Sequence, residues 1–448
     1  MTIIIFSLFI LFEITFTIYC ILIGSTQSKV RSYIRLLAFG VFLLLCIMNI
    51  LEWGLRWYIL GTLLLMLSIK GIYDLTKSRN NPKKFLKRKM IQKAIIMIFL
   101  FAFALIPAFL FPQYEELQTT GEYNVATAQY TFTSDTIIDY FTGDRRSINV
   151  GFWYPEDAEG KFPLVVFSHG AFGIKNSNDS CYKELASNGY IVCSIDHPGH
   201  SFYTETEKGQ VVLVNKEYMK EVIDSNKDDY YTNTQAYELI KKWMKIRTED
   251  INFTIDTILQ HTVEADKPEV VYSQHADTAT LFQLIDSDKI GVFGHSMGAA
   301  ASVQLGRERE DVDAVINIDG PYFSEIVYDE DKDELIATEK QYDTPILNIY
   351  SDQVWVQLED GTNTGVYAGN KISDQICKES YDVYLKGTKH LTLTDLSLVS
   401  PFLAYLLNGQ GAEVDAKATI ELENHIILDF FDAKLKDKGK FAASKVYE

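Results

Sequence analysis

Over the first 112 residues the apolar positions run in four long blocks: Thr2 to Ile23, Tyr33 to Ile50, Trp57 to about Ile69, and Ala94 to Phe111. Each approaches the ~20 residues that a helix needs to cross a bilayer. Four such blocks in succession are hard to place in the core of a soluble protein, so they predict four transmembrane helices. Glu52 and Arg56 separate the second block from the third, which suits a short exposed turn between antiparallel spans. The first block has neither a positive n-region nor an A-x-A-like cleavage site, which favours a retained span over a secretory signal.

After Pro112 the pattern changes. Residues 112–121 read as a linker, and alternating apolar positions around Ala128–Phe132 and Ile148–Tyr154 predict an antiparallel pair of strands. Continuous apolar runs follow at 162–167, 190–195, 290–293, 312–318, 344–350 and 381–385, each bounded by turn residues, as buried strands are. Between them lie helical stretches at 180–187, 233–261 and 299–305, with a closing amphipathic helix at 421–435. In the longest, Leu239, Ile240, Trp243, Ile246, Ile251, Ile255, Ile258 and Leu259 form a drifting stripe, read as a packing face. Alternating strands and helices predict an α/β domain over 113–448, with a mostly parallel sheet and its active groups beyond the strands' carboxyl ends. The polar, aromatic-bearing stretch from Tyr203 to Thr232, and Val263 to Thr278 after the long helix, read as a lid-like insertion within 202–278.

Charge adds orientation to this outline. Residues 1–112 carry 13 Lys+Arg against 3 Asp+Glu, leaving 29 against 57 in the remainder. The basic residues cluster between the first and second spans (Lys29, Arg31, Arg35) and between the third and fourth (Lys77 to Lys93), so both loops are expected on the cytoplasmic side. The fourth span then delivers everything after Pro112 to the extracytoplasmic face of a cell membrane. The acidic remainder argues against a nucleic-acid partner. Of five cysteines, Cys20 and Cys46 lie in apolar segments, and the remaining Cys181, Cys193 and Cys377, with no metal-ligand spacing, suggest neither a disulfide framework nor a zinc site. Asp196, His197 and His200 share a Pro-Gly loop with no further ligand cluster, so no metal is expected, and no organic cofactor is needed for the chemistry below.

That chemistry centres on Gly294-His295-Ser296-Met297-Gly298, a G-x-S-x-G between an apolar strand and a small-residue helix. Such an elbow holds its serine in a strained turn, with the hydroxyl projecting beyond the sheet. Acyl transfer to Ser296 needs a base, an acid to orient it and donors for the oxyanion. Of eight histidines only His390 and His425 follow the elbow; His390 lies in a polar loop after a strand, whereas His425 sits inside the closing helix, so His390 is the expected base. Asp319 and Asp352 both end strands after the nucleophile and both are candidates for the acid. The His-Gly loop at Ser168-His169-Gly170-Ala171 offers the Ala171 N–H to an oxyanion, and Met297, after the nucleophile, offers the second donor. His169 itself reads as a residue that braces its loop.

Phe167-Ser168-His169-Gly170, Arg247-Thr248-Glu249-Asp250-Ile251-Asn252-Phe253-Thr254-Ile255-Asp256, the elbow, Ile318-Asp319-Gly320 and Lys386-Gly387-Thr388-Lys389-His390 together resemble the platelet-activating factor acetylhydrolase family of the plasma and isoform II type. The resemblance covers roughly Asn149 to Leu435 and leaves out the four spans. It implies an α/β-hydrolase fold and, by the position of the family's acid after the strand that follows the elbow, a triad of Ser296, Asp319 and His390. It also implies hydrolysis of a short-acyl ester, on a phospholipid or a lipid-like molecule. The sequence departs from the family at Gly320-Pro321-Tyr322-Phe323 and at Leu391-Thr392-Leu393, both beside the expected site. Alternatives are a general carboxylesterase of the dienelactone-hydrolase kind, an acyltransferase, and a non-catalytic adhesion or sensor domain.

Overall fold

The computed structural model describes residues 2–77, 85–206, 208–227, 230–263 and 279–448. The chain forms two compact units, Met1–Glu115 with Leu398–Leu403, and Glu116–Ser397 with Ala404–Glu448.

The first unit contains α1 (Thr2–Ile23), α2 (Ser28–Ile47), α3 (Leu55–Thr76) and α4 (Lys87–Leu110), each long and apolar enough to cross a membrane. α2 and α4 begin several residues before their apolar blocks, because the flanking Lys and Arg residues are themselves good helix formers. α2 packs on α3, and α4 on both α1 and α3. Phe42, Trp57, Leu60, Leu64, Phe101 and Ala104 fill the seam. α2 and α3 approach closely at Gly71, where an added Cβ would stand 3.1 Å from the Ser32 carbonyl oxygen. Glu13 of α1 and Arg31 of α2 form a buried ion pair at 2.6 Å.

The second unit is built on a nine-stranded sheet of order β1-β2-β4-β3-β7-β8-β11-β12-β13. β1 (Val125–Ile138) and β2 (Arg145–Pro155) are antiparallel, and β2 joins β4 (Ile191–Ile195) antiparallel. From β4 onward all pairs are parallel, through β3 (Phe162–Ser168), β7 (Ile285–His295), β8 (Ala314–Ile318), β11 (Ile346–Tyr350), β12 (Ser380–Leu385) and β13 (Val446–Tyr447). Fully buried strands of this kind are covered by helices on both faces and so read as continuous apolar runs. α7 (Asn233–Val263) and α9 (Met297–Glu308) belong to one side, with a core through Phe152, Val166, Trp243, Ile255 and Val292. α5 (Asp179–Ser187) and α15 (Ala416–Leu435) belong to the other, with a core through Phe167, Tyr182, Phe293, Ile427 and Phe431.

β7 starts earlier than its apolar run. It pairs with β3 at Ile285 and Asp286, bulges, and resumes at Ile290, so the polar residues 286–289 conceal the strand's first half. The stretch 203–232 contains a small hairpin, β5 (Tyr203–Glu205) with β6 (Val211–Leu213), and α6 (Lys216–Ser225), capped by the Asn215 side chain. α6 is anchored through Tyr218, which is fully buried. The second part of the expected insertion, after Val263, lies outside the described residues as far as 278. Minor elements complete the unit: α8 (Ala279–Gln283), the hairpin β9 (Ile326–Asp329) and β10 (Glu334–Ala337), α10 (Asp352–Leu358), α11 (Ala368–Lys371) and α12 (Ser373–Ile376). α13 (Leu396–Val399) and α14 (Pro401–Asn408) follow the loop after β12.

Candidate active site

Ser296 sits between β7 and α9 with φ 55° and ψ −121°, a conformation that L-residues avoid and that costs of order 1–3 kcal/mol. The turn admits no side chain on either flank: a Cβ on Gly294 would meet the Gly298 carbonyl carbon at 2.4 Å, and one on Gly298 would meet the Ser168 carbonyl oxygen at 1.9 Å. The Ser296 N–H donates to the Ile318 carbonyl at 2.8 Å, which ties the elbow to β8.

The next residue of that neighbouring strand end is Asp319, fully buried and also at positive φ. Its carboxylate accepts from the Ser351 N–H and hydroxyl, both at 2.7 Å, and from His390 Nδ1 at 2.7 Å. Asp352, the other candidate, lies elsewhere: it accepts from the Tyr384 hydroxyl and the Gly387 N–H, both at 2.8 Å, and from Lys389 Nζ at 3.1 Å. Burial pulls the Asp352 carboxyl up, but these three donors outweigh it and hold the group below the usual carboxylate range. Asp352 thus braces the loop that leads to His390, whose N–H donates to Gln353 Oε1 at 2.7 Å.

His295, inside the elbow, carried no role in the sequence. Its Nε2–H donates to the His390 carbonyl at 2.9 Å, and the two rings lie 4.4 Å apart between centroids. Burial first, then the nearby His390, push its pKa well below the ordinary value, so it is the neutral Nε2–H tautomer that bridges the elbow and the histidine loop. His425 is in α15, as expected from the closing helix.

On the other side of the elbow, the His169 ring braces its own loop. Nδ1–H donates to the Gly170 carbonyl at 2.6 Å, while Nε2 accepts from the Ser201 hydroxyl at 2.8 Å. The Ala171 N–H has no backbone partner among the described residues. Asp196, His197 and His200 face separate protein partners: Asp196 pairs with Lys175, His197 bridges Ser168 and Asp250, and His200 Nδ1 accepts from Arg247 Nε at 3.1 Å. Asp250 is held bidentately by Arg146, which also meets Asp139. Burial pushes the three histidines of this cluster, His169, His197 and His200, well below their usual pKa, with the Arg247 charge adding to it. Arg247 and Asp250 escaped a functional role because α7 reads as an apolar stripe. Their signal was present: two opposite charges three residues apart on the buried side of a helix.

A mostly parallel sheet with a strained serine between a central strand and its helix, and an Asp–His pair on the loops after β8 and β12, is the architecture of the α/β-hydrolase class. A solved ferulic acid esterase from Streptomyces cinnamoneus shares the fold, with a TM-score of 0.54 over 74% of this chain and 96% of that one, at 19% identity. The chain belongs to the platelet-activating factor acetylhydrolase, isoform II family, whose family model matches residues 118–445. Among curated relatives, a platelet-activating factor acetylhydrolase from Bos taurus is 24% identical over 289 residues, 61% of this chain and 57% of that protein. One from Gallus gallus is 23% identical over 296 residues, 63% and 64% of the two chains. The chain thus spans less than two thirds of the length of these relatives.

Proposed function

We propose that this protein is a membrane-anchored serine hydrolase that cleaves carboxylic esters of short acyl groups, on phospholipid-like substrates, through Ser296, His390 and Asp319. The observation that carries the proposal is the 2.7 Å contact of His390 Nδ1 with the buried Asp319 carboxylate on the strand end next to the strained serine. Asp319 holds the proton of His390 on Nδ1 and leaves Nε2 unprotonated to take the Ser296 proton. The serine oxygen adds to the ester carbonyl, and the oxyanion is received by the N–H groups of Ala171 and Met297. His390 then returns the proton to the leaving alcohol, the acyl group remains on Ser296, and a water activated by the same histidine releases it as the acid. No metal or organic cofactor enters these steps. Membership of an acetylhydrolase family supports the short acyl group. The four apolar helices support an integral anchor, and the basic loops between α1 and α2 and between α3 and α4 support an extracytoplasmic catalytic unit. A site tethered beside the leaflet that holds its substrate would gain from their high local concentration.

The test uses the full chain in detergent with p-nitrophenyl acetate, butyrate and octanoate. Acetate and butyrate should turn over faster than octanoate, and Ser296→Ala and His390→Ala should each remove essentially all of it. A folded wild type that hydrolyses none of the three esters and does not react with a fluorophosphonate probe would sink the proposal. Accumulation of an acylated acceptor rather than free acid would convert it to an acyltransferase.

A further inference from the structure

Arg247 of α7 is fully buried, and none of its hydrogen bonds among the described residues goes to a carboxylate. Nη1 donates to the His169 carbonyl and, at 3.4 Å, to the Ser168 hydroxyl; Nη2 donates to the Gly170 carbonyl at 3.2 Å; Nε takes His200. A buried guanidinium without a direct carboxylate partner is a costly arrangement for packing alone. What it grips explains the cost. The Gly170 carbonyl and the Ala171 N–H belong to one planar peptide group, so whatever fixes the carbonyl on one side aims the N–H on the other. That carbonyl receives three donors: Arg247 Nη2, His169 Nδ1 at 2.6 Å and the Gly173 N–H at 3.2 Å. A cation on the oxygen also draws electron density from the peptide nitrogen, which strengthens its N–H as a donor. The same guanidinium reaches toward the second donor's residue: His200 stacks on Tyr218 at 3.7 Å between centroids, and the Tyr218 hydroxyl lies 3.2 Å from Met297 Sδ.

We propose that Arg247 is a positioning residue for the oxyanion hole, which orients and polarises the Gly170–Ala171 peptide from behind. The proposal rests on the ester-hydrolase reading above. Arg247 would touch no substrate atom, so its effect should fall on the transition state, where the oxyanion exists, and not on the bound ester.

The experiment compares wild type with Arg247→Lys and Arg247→Gln in the full chain in detergent, with folding checked by thermal melts, and either folded variant decides. Two quantities are read: kcat and KM for p-nitrophenyl acetate, and inhibition by an alkyl trifluoromethyl ketone beside its non-fluorinated methyl ketone. The fluorinated ketone adds to the serine as an oxyanion, whereas the plain ketone binds as a neutral ground-state mimic. The expected result is a fall in kcat of about tenfold to a hundredfold, below the ~10²–10³ for outright loss of a donor. KM should stay within about threefold, affinity for the fluorinated ketone should fall in step with kcat/KM, and the plain ketone should be unaffected. Loss of affinity for both ketones alike, or a kcat within about twofold of wild type, would overturn the role of Arg247 while leaving the hydrolase intact. A wild type that neither hydrolyses the ester nor binds the fluorinated ketone overturns the underlying function instead.

Discussion

In the helical unit Leu8, Leu37, Ile95 and Phe99 turn 61–70% of their surface outward, whereas in the sheet unit Phe152, Phe167 and Phe293 expose none. Both units carry many apolar residues, but they turn them in opposite directions. Outward apolar faces on four long helices are what a hydrocarbon solvent would accept, and the helices pack closely at small residues such as Gly71. Inward apolar faces follow from water as the solvent, at ~1.5–3 kcal/mol for each large side chain fully buried. Buried charge follows the same division. The helical unit keeps Glu13 with Arg31, a close pair between α1 and α2. The sheet unit gathers Arg146, Asp139, Asp250, His197 and Arg247 behind the loop that carries Ala171, where charge can act on the backbone of the candidate site.

If chemistry belongs wholly to the sheet unit, the sharpest contrast is catalytic. Asp319→Asn should lower kcat about 10⁴-fold, the scale seen when a triad acid loses its charge. Asp352→Asn should cost less than tenfold, and Glu13→Gln in the helical unit should leave kcat within about twofold, all measured with p-nitrophenyl acetate in detergent. Equal losses at Asp319 and Asp352 would erase the distinction drawn between the two carboxylates.

Packing supplies the next contrast. Gly298→Ala places a methyl 1.9 Å from the Ser168 oxygen and should destabilise by about 3 kcal/mol or more, beyond the usual range for overpacking because backbone cannot move aside. Gly61→Ala meets only ring atoms of Phe42 and Trp53, at 3.2 Å, and should cost less than about 1 kcal/mol. Thermal melts of the two variants decide it, and a melting temperature for Gly298→Ala near wild type would contradict the steric account of the elbow. Solvent preference comes third: Phe99→Asp should disfavour membrane insertion by ~2.5–3.5 kcal/mol, read as release on alkaline extraction. Val211→Asp, an exposed position in the sheet unit, should change stability by no more than ~0.5 kcal/mol.

The smallest effect is a pH dependence. Asp395 accepts from the Ser180 N–H and hydroxyl at 2.7 and 2.6 Å, yet burial raises its pKa to about 7, with Asp179 adding to the rise and Lys183 opposing it. The nearby Glu423 is raised well above its usual value, by burial and then by Asp395. Because the folded value lies above the ~3.9 of an unfolded aspartate, the stability from Asp395 is intact below about pH 4 and is lost as pH rises through about 7. The buried histidines run the other way, contributing stability above ~6.5 that is lost as pH falls. The informative quantity is therefore a difference: the melting temperature of Asp395→Asn relative to wild type should rise by a few degrees between pH 5.5 and 8.5. A constant difference would mean that Asp395 does not titrate in that range.

Much of this fold could be read from the chain because its signals are local. Four apolar blocks gave the helices, although their ends were misjudged where Lys and Arg extend α2 and α4. Continuous apolar runs gave the parallel strands, but the polar residues 286–289 hid the first half of β7 behind a bulge. The elbow and His390 were legible from spacing and chain order. Arg247 was not, because a charge in an apolar stripe shows which face it shares and nothing of what lies opposite.

The sequence by itself determined the elements and the serine's place among them, since hydropathy periods and the absence of a Cβ at Gly294 and Gly298 act over a few residues. Only the tertiary structure decided which aspartate meets His390, that His295 ties the elbow to the histidine loop, and that α7 sends a guanidinium to the Gly170–Ala171 peptide. Those partners are separated by 71, 95 and 77 positions along the chain. Contacts of that range are set by strand order and helix placement, which bring together residues that no local pattern connects.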